Sequence, residues 1–238
     1  MLYSDFENFF INKCKNNNIK IPNDLKNFFE YMNQIIEWNK KINLTTIINE
    51  EDFIIKHYID SLTVIDFIGP EDHVIDIGTG AGFPGMPIKM FHKEQKVTLV
   101  DSVGKKLNVI KDISKKLNII DLEIIHSRAE DLAQNKEYRE KYDVAVSRAV
   151  SNMTTLVEYL LPFVKIGGKV LCMKGPNLEE ELNQSKHAIE ILGGKIIEVK
   201  KIILDKEHER SIVIIEKTKS TPKQYPRPQN KPLKDPLK

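Results

Sequence analysis

The amino-acid sequence predicts an α/β fold, a doubly wound and mostly parallel seven-stranded sheet with a helical extension before it. From residue 70 onwards, short apolar runs alternate with amphipathic segments, which is typical of parallel strands joined by crossover helices. A glycine-rich turn follows the first of these runs directly, as in folds that bind nucleotides at a strand end. Before residue 70, apolar residues recur at helical spacing instead.

Residues 1–69 are predicted to form three helices. Ser4 fits the first position of a capping box at the start of the first helix. The second helix opens near Pro22, and the third opens near Asn49 and stops before Gly69. Each helix has an apolar face that must be covered, so we expect this extension to pack on the sheet.

The remaining elements follow from the apolar runs and from the amphipathic segments between them. The predicted strands are 73–77, 97–100, 122–125, 144–147, 170–173, 196–203 and 212–215. The predicted helices between them are 105–117, 153–161 and 178–192. The last two strands are joined by a turn-like segment, 205–209, so we expect them to form an adjacent pair.

Composition excludes several classes of protein. A hydrophobic fraction of 41% over 238 residues excludes a disordered chain, and a formal net charge of +2 excludes a polycation. The two cysteines, Cys14 and Cys172, have no partner spacing, so we expect neither a disulfide nor a metal site. Without an apolar run of membrane-spanning length or a signal peptide, we expect a cytoplasmic protein that does not enter a membrane, and we expect a monomer.

The C-terminal segment differs from the rest of the chain. Residues 217–238 carry seven basic residues against one acid and hold five of the eleven prolines. Such a segment is expected to lie extended along a surface, where it suits a phosphate backbone, although a solvated tail is the simpler alternative. We therefore divide the chain into a helical extension, 1–69, a ligand-binding domain, 70–217, and a basic proline-rich arm, 218–238.

The glycine-rich turn, 76–85, indicates a nucleotide-type ligand at the end of the first strand. The register that starts at Gly80 fits the dinucleotide pattern G-x-G-x-x-G. The register that starts at Gly78 instead places Phe83 where that pattern needs a small residue, which argues against a pyrophosphate.

Acidic residues favour S-adenosylmethionine over a dinucleotide at this turn. Asp101 ends the second strand 23 residues after Gly78, where a carboxylate reaches a ribose diol. Together with Asp76 and Glu130, it gives an acidic lining that suits a sulfonium, and the turn has no basic residue for a phosphate. The alternative for Asp76 and Asp101 is a purely structural capping role.

Several short motifs together resemble a known family. They are Asn43 to Thr45, His57 with 60–62, 76–85 with Pro87, Asp101 with Ser102, Arg128 to Asp131, Ser147 to Ala149, Leu161 with Pro162, Gly167 with Gly168, Lys174 with Gly175, and Tyr225 to Arg227. The sequence resembles the bacterial 16S rRNA guanine-N7 methyltransferases, the RsmG family, also called glucose-inhibited division protein B (GidB). The resemblance covers nearly the whole chain. Arg227 to Asn230 departs from the family's basic tail pattern, which leaves the path of the arm open.

The resemblance implies a class I S-adenosylmethionine-dependent methyltransferase with a Rossmann-like fold. Its acceptor would be N7 of a single guanine in 16S rRNA, guanine 527 in that family's rRNA numbering, and its partner the rRNA or the small ribosomal subunit. Carried over to this chain, the cofactor-binding residues are Gly78, Phe83, Ala129, Glu130 and Arg148. The strand-end geometry adds Asp101, and the glycine-rich turn and its acidic lining add Gly80 and Asp76.

Methyl transfer to N7 needs no general base, because that nitrogen carries an unprotonated lone pair at neutral pH. The candidates for positioning are Arg148, His57 and Asp60, the last two of which could equally form a structural pair on one helix. The candidates for RNA contacts are Arg128, Lys174, Arg227 and Lys231, with Phe83 or Tyr225 as stacking partners. An ion pair with Asp143 or a neighbouring acid is the alternative role for Arg148, and a solvated strand-end charge is the alternative for Lys174.

Three other functions remain open at this point. The protein could methylate a small molecule or another protein, in which case the basic arm would be dispensable. It could be a nicotinamide-dependent oxidoreductase, because the two cofactor classes share the strand-end geometry. It could also be a non-catalytic RNA-binding or ribosome-assembly factor.

Overall fold

A computed structural model describes residues 1–148, 150–176, 178–204 and 208–237. Ala149, the predicted turn residues 205–207 and the terminal Lys238 lie outside these ranges. One seven-stranded sheet has the order β3-β2-β1-β4-β5-β7-β6, with β7 antiparallel to both of its neighbours. Its strands are β1 Val74–Ile77, β2 Val97–Asp101, β3 Leu122–His126, β4 Tyr142–Arg148, β5 Val164–Lys174, β6 Gly194–Leu204 and β7 His208–Lys217. The predicted fold class is confirmed.

The strands are longer than the sequence predicted at several ends. β5 begins at Val164 rather than at residue 170, and Gly167 and Gly168 lie within this strand. The pairing of β4 with β5 shifts register between Tyr142 and Val144, so the extra residues form an irregularity of the bulge type. His208 and Glu209, predicted as turn, belong to β7.

Helices cover both faces of the sheet. They are α1 Tyr3–Asn16, α2 Lys26–Asn39, α3 Glu50–Phe53, α4 Asp60–Leu62, α5 Gly85–Phe91, α6 Gly104–Lys116, α7 Ala129–Leu132, α8 Met153–Leu160, α9 Glu179–Ile191 and α10 Lys231–Lys234. A π-helical segment, Ile54–Ile59, joins α3 to α4. The sequence missed α5, α7 and α10, which are short and begin beside glycine, proline or charged residues. The predicted capping box is wrong, because α1 begins at Tyr3 and places Ser4 in its first turn.

The core consists of two apolar clusters, one on each face of the sheet. Apolar side chains of α1, α2, the segment 53–68, α5 and α6 pack on one face, and those of α7, α8 and α9 pack on the other. Alternate residues of one strand serve both clusters, as Val74 and Ile75 of β1 do. The helical extension therefore shares a core with α5 and α6. Within the described residues, no helix is long and apolar enough to cross a membrane.

Candidate active site

A cavity of about 380 Å³ lies at the carboxyl ends of β1, β2 and β4. β1 lies between β2 and β4, so the chain order reverses at this point, which is where doubly wound sheets bind ligands. We call this cavity the donor cavity. It is lined by Ile77, Gly78, Gly80, Val100, Asp101, Ser102, Val103, Lys106, Ser127, Arg128, Ala129, Glu130, Arg148, Val150, Ser151, Tyr159, Asn230 and Leu233.

The glycine loop brings backbone close to this cavity. Gly78 has a φ of +75°, and a Cβ atom added there would lie 2.5 Å from Cγ2 of Val150. Gly80 has a φ of +59°, and an added Cβ would meet nothing within 4 Å. Both positions therefore need the left-handed backbone that glycine adopts without strain.

Asp76 supports the loop from below and does not line the cavity. Its Oδ2 accepts hydrogen bonds from Oγ1 of Thr79 at 2.6 Å and from the backbone N–H of Gly85 at 2.8 Å. Its Oδ1 is buried and has no hydrogen-bond partner among the described residues. Burial raises the pKa of Asp76 to about 7, against the lowering effect of these two hydrogen bonds. The geometry thus gives Asp76 the structural role that we considered as the alternative.

Two other predicted carboxylates do line the donor cavity. Oδ2 of Asp101 accepts from the N–H of Gly80 at 2.8 Å, and Oδ1 accepts from the N–H of Val103 at 2.8 Å. Glu130, in the first turn of α7, accepts from Nε of Arg128 at 2.7 Å. Ala129, the first residue of α7, is also in the lining.

These features fit S-adenosylmethionine. The volume falls within the range of about 300–1,000 Å³ that is usual for small-molecule sites. Asp101 and Glu130 supply acceptors for ribose hydroxyls and an amino group, and Gly78 and Gly80 let a ligand lie against the backbone. Among the described residues, no cluster of His, Cys, Asp and Glu could hold a metal ion.

A second cavity, of about 410 Å³, lies on the other side of Arg148. We call it the acceptor cavity. In contrast to the donor cavity, most of its polar lining is basic. It is lined by Ile47, Lys56, His57, Asp60, Arg148, Met173, Lys174, Gly175 and Arg210. Arg148 belongs to both cavities, so the two are neighbours at the end of β4.

Arg148 joins the sheet to the helical extension. Its Nη1 donates to the carbonyl oxygen of Lys56 at 2.8 Å and to Oδ2 of Asp60 at 3.0 Å. Oδ1 of the buried Asp60 also accepts from Nε of Arg210 at 3.3 Å. Asp60 rather than Asp143 is therefore the acidic partner of Arg148, and Asp143 pairs with Lys165 instead.

The protonation of His57 follows from its neighbours. Nδ1 lies 3.0 Å from Nη2 of Arg148, and because a guanidinium only donates, Nδ1 must be the unprotonated acceptor. Nε2 then carries the proton and donates to Oγ1 of Thr45 at 2.9 Å. Burial, and secondly the charge of Arg148, lowers the pKa of His57 to about 3. His57 is therefore neutral at pH 7, and both of its nitrogens are engaged.

Phe83 lies behind this network and lines neither cavity. It is buried, and its ring stacks on His57 with a centroid distance of 4.2 Å and an interplanar angle of 5°. The guanidinium of Arg148 lies 5.5 Å from the centre of the same ring. The hydroxyl of Tyr31, from α2, donates to the carbonyl oxygen of Ala81 at 2.8 Å. The helical extension thus fixes the glycine loop from behind.

The predicted RNA contacts occupy different environments. Arg128 is at the donor cavity and is paired with Glu130, whereas Lys174 is at the acceptor cavity and is paired with Glu181 at 2.6 Å. Lys231 is exposed on α10. Arg227 forms an ion pair with the buried Glu158 at 2.8 Å, so an RNA contact there would need this pair to open. Tyr225 is half-buried and packs against the apolar cluster of α7, α8 and α9.

Sequence reasoning missed Arg210 and Asn230, although each contacts a predicted site residue. Arg210 reaches Asp60 from β7, and Asn230 reaches Glu130 from the arm with its backbone N–H. Neither belongs to a local pattern, since each partner lies 100 or more residues away in the chain. No signal in the sequence alone would have indicated these contacts.

Solved structures of other proteins share this fold. M. jannaschii TYW2 in complex with AdoMet aligns with a TM-score of 0.53 and 18% sequence identity, over 67% of this chain and 76% of that chain. An rRNA methylase from Streptococcus thermophilus aligns with a TM-score of 0.50 and 18% identity, over 68% and 95%. At these identities the similarity concerns the fold alone.

The strand order, the glycine loop and the donor cavity at the strand ends are typical of methyltransferases of the Rossmann-like class. The predicted acidic lining is only partly present, because Lys106, Arg128 and Arg148 line the donor cavity beside Asp101 and Glu130. The family model described as "GidB: rRNA small subunit methyltransferase G" matches residues 24–213. The chain belongs to this family, and it is an S-adenosylmethionine-dependent methyltransferase. The predicted family, enzyme class and cofactor are thereby confirmed.

Curated relatives match along almost the whole chain. A Clostridium botulinum protein named ribosomal RNA small subunit methyltransferase G is 47% identical over 239 residues, which cover 98% of this chain and 100% of the relative. A protein of the same name from Alkaliphilus metalliredigens is 45% identical over 219 residues, 91% and 92% of the two chains.

Proposed function

We propose that this protein transfers the methyl group of S-adenosylmethionine to N7 of a single guanine in 16S rRNA. The observation that carries the proposal is the pair of neighbouring cavities that share Arg148. The donor cavity contains two carboxylates and three basic residues, whereas the acceptor cavity contains four basic residues and a single carboxylate. The carboxylates Asp101 and Glu130 suit a cationic donor, and Lys56, Arg148, Lys174 and Arg210 suit an acceptor that carries phosphates. The names of the curated relatives support rRNA as the class of acceptor.

The chemistry asks the protein for positioning rather than for proton transfer. When bound, S-adenosylmethionine supplies an electrophilic methyl group on a sulfonium. The lone pair of N7 forms the new C–N bond while the C–S electron pair stays on sulfur, so no proton moves. The state of His57 agrees with this, because both of its nitrogens are already hydrogen-bonded and its low pKa keeps it uncharged. Its role in this proposal is to orient Arg148.

Arg148 is placed to align acceptor and donor. Three hydrogen bonds to 56–60 fix its guanidinium at the boundary of the two cavities. A group held in this way can position a base for in-line attack without paying the entropy of ordering itself at each turnover. Because N7 lies in the deep groove of an A-form helix, the target guanine must be unstacked or in a loop.

The test is methylation of small ribosomal subunits from cells that lack this modification. Purified protein is incubated with methyl-labelled S-adenosylmethionine and either the subunits or naked 16S rRNA, and the RNA is then cleaved selectively at N7-methylguanine. Label at one guanine, with strand scission there, supports donor, acceptor atom and RNA class together. Donor binding without labelled RNA would contradict the proposal and favour a small-molecule or protein acceptor. The expected monomer is checked by the mass of the same preparation in solution, and an rRNA acceptor implies a cytoplasmic enzyme.

A further inference from the structure

We propose that the C-terminal arm, residues 218–237, forms a wall of the donor cavity and is needed to bind S-adenosylmethionine tightly. Two of its residues, Asn230 and Leu233, belong to the cavity lining. The basic, proline-rich composition of the arm had suggested an RNA contact only. The inference rests on the donor cavity being the cofactor site, and it holds whichever acceptor is methylated.

A buried ion pair attaches the arm to the domain. Nε and Nη2 of Arg227 donate to the carboxylate of Glu158 at 2.9 and 2.8 Å, and the backbone N–H of Arg227 donates to it at 2.8 Å. Glu158, on α8, is fully buried. A two-pronged contact of this kind fixes orientation as well as position, because the guanidinium and the carboxylate are both planar.

Further contacts hold the arm on both sides of this ion pair. Arg139 donates to the backbone carbonyl oxygens of Tyr225 at 2.8 Å and of Thr221 at 2.9 Å. Beyond Arg227, Oγ1 of Thr155 donates to the carbonyl oxygen of Pro232 at 2.8 Å. The accepting groups are backbone carbonyl oxygens of the arm. These contacts therefore fix the position of the arm's backbone independently of its charged side chains.

This path places the arm against Glu130, one of the residues that the family resemblance assigns to the cofactor. The backbone N–H of Asn230 lies 3.2 Å from Oε1 of Glu130, which also accepts from Arg128. Asn230 has a φ of +59°, a conformation that asparagine tolerates better than most residues. The arm therefore helps to fix the Glu130 carboxylate.

Leu233 supplies the apolar part of the wall. It lines the donor cavity and is 56% exposed. A leucine in this position gains burial only when something fills the cavity, so its contact contributes to ligand affinity and little to the fold. Lys231 and Lys234 flank it on the same short helix, α10.

The test measures donor binding by calorimetry with no RNA present. We expect Leu233→Ala to weaken S-adenosylmethionine binding about 15-fold, because two buried CH₂ equivalents are lost. We expect Arg227→Lys to weaken it severalfold, because lysine keeps the positive charge but cannot form the two-pronged contact with Glu158. The matched control is Leu2→Ala, an exposed leucine on the N-terminal side of α1, which should bind the donor as the wild type does.

The donor affinities of the variants either support or overturn the inference. Wild-type affinity in both arm variants would overturn the inference and leave the arm as an RNA-binding tail. Gly78→Val, which would clash with Val150, should abolish donor binding, and if it does not, the donor cavity is misassigned and the inference fails with it. Circular dichroism of each variant excludes unfolding as the cause of a loss. A failure to label N7 of guanine would leave these binding results unchanged, so the two proposals fail separately.

Discussion

The donor and acceptor cavities share Arg148 but are built in different ways. The donor cavity is assembled from the ends of three adjacent strands, a glycine loop and two carboxylates. The acceptor cavity is assembled where the helical extension meets β4, β5 and β7, and its polar lining is mostly cationic. The donor cavity thus offers carboxylates of which Glu130 is already paired with Arg128, whereas the acceptor cavity has an excess of basic side chains that suits phosphates. The comparison indicates that the acceptor side needs both the helical extension and the sheet, whereas the donor side is built from the sheet, its loops and the arm.

The largest predicted effect concerns the pH dependence of stability, because two buried groups have strongly shifted pKa values: Asp76, which supports the glycine loop, and His57, which lines the acceptor cavity. The pKa of Asp76 rises from 3.8 to about 7, so between these values the folded state binds a proton that the unfolded state does not. Its contribution to the free energy of unfolding therefore falls as pH rises. The pKa of His57 falls from 6.5 to about 3, so its contribution rises with pH. Each contribution is on the order of 4 kcal/mol, and the two oppose each other.

Single variants should separate the contributions of Asp76 and His57 to the pH dependence of stability. In Asp76→Asn we expect stability to rise more steeply than in the wild type between about pH 4 and 6.5, and in His57→Gln we expect it to fall. Urea unfolding midpoints measured across this range provide the check. Arg148 and Asp101 act on Asp76 in both the wild type and His57→Gln, so their influence cancels in that comparison. If stability changed with pH in the same way in both variants, the pKa shifts of Asp76 and His57 would not oppose each other as expected.

Arg148→Lys gives the next largest effect. Lysine cannot donate simultaneously to Lys56, His57 and Asp60, so we expect methyl transfer to fall on the order of 100-fold. Because all three hydrogen bonds of Arg148 point towards the helical extension, the affinity for the donor should change less than threefold. Single-turnover rates and donor calorimetry measure the two quantities separately. An equal loss in both would mean that Arg148 acts mainly on the cofactor, as the family resemblance implied.

Several residues of the donor cavity could be predicted from the sequence, because the patterns that indicate them lie within short stretches of the chain. Gly78 and Gly80 follow β1 directly and Asp101 ends β2, so these three could be placed from the strand pattern, whereas Ala129 was assigned only through the family resemblance. The strand count and the helical extension were predictable from hydrophobic periodicity for the same reason. Phe83 was placed in the cofactor site, but its ring turns towards the extension and stacks on His57.

The acceptor side could not be predicted in the same way. Asp60 meets Arg148 across 88 residues and Arg210 across 150, and no periodic pattern connects such positions. The π-helical segment that carries His57 was likewise read as ordinary helix, since one extra residue per turn leaves no clear mark on the sequence. Here the tertiary fold, rather than local spacing, determines which charges meet.

Asp101→Asn is expected to have a smaller effect, confined to the donor cavity. The carboxylate accepts from the N–H groups of Gly80 and Val103, and an amide would turn an NH₂ group towards one of them. We expect donor affinity to fall about tenfold, since one hydrogen bond to the loop is lost. Asp112→Asn, on the exposed surface of α6, is the matched control. RNA binding without donor should be unaffected, and a parallel loss of RNA affinity would argue against separate cavities.

The smallest predicted effect is that of Lys231→Ala, which tests whether the basic character extends from the acceptor cavity to the arm. Lys231 is exposed beside the donor cavity, so a phosphate contact there would bring RNA across both cavities. We expect RNA affinity to fall only a fewfold, and the slope of log affinity against log salt to decrease by about one. Lys96→Ala is the control, because Lys96 is exposed and immediately precedes β2, at the amino ends of the strands and therefore away from both cavities. An unchanged slope in Lys231→Ala would confine RNA contacts to the acceptor side and leave the arm to the cofactor alone.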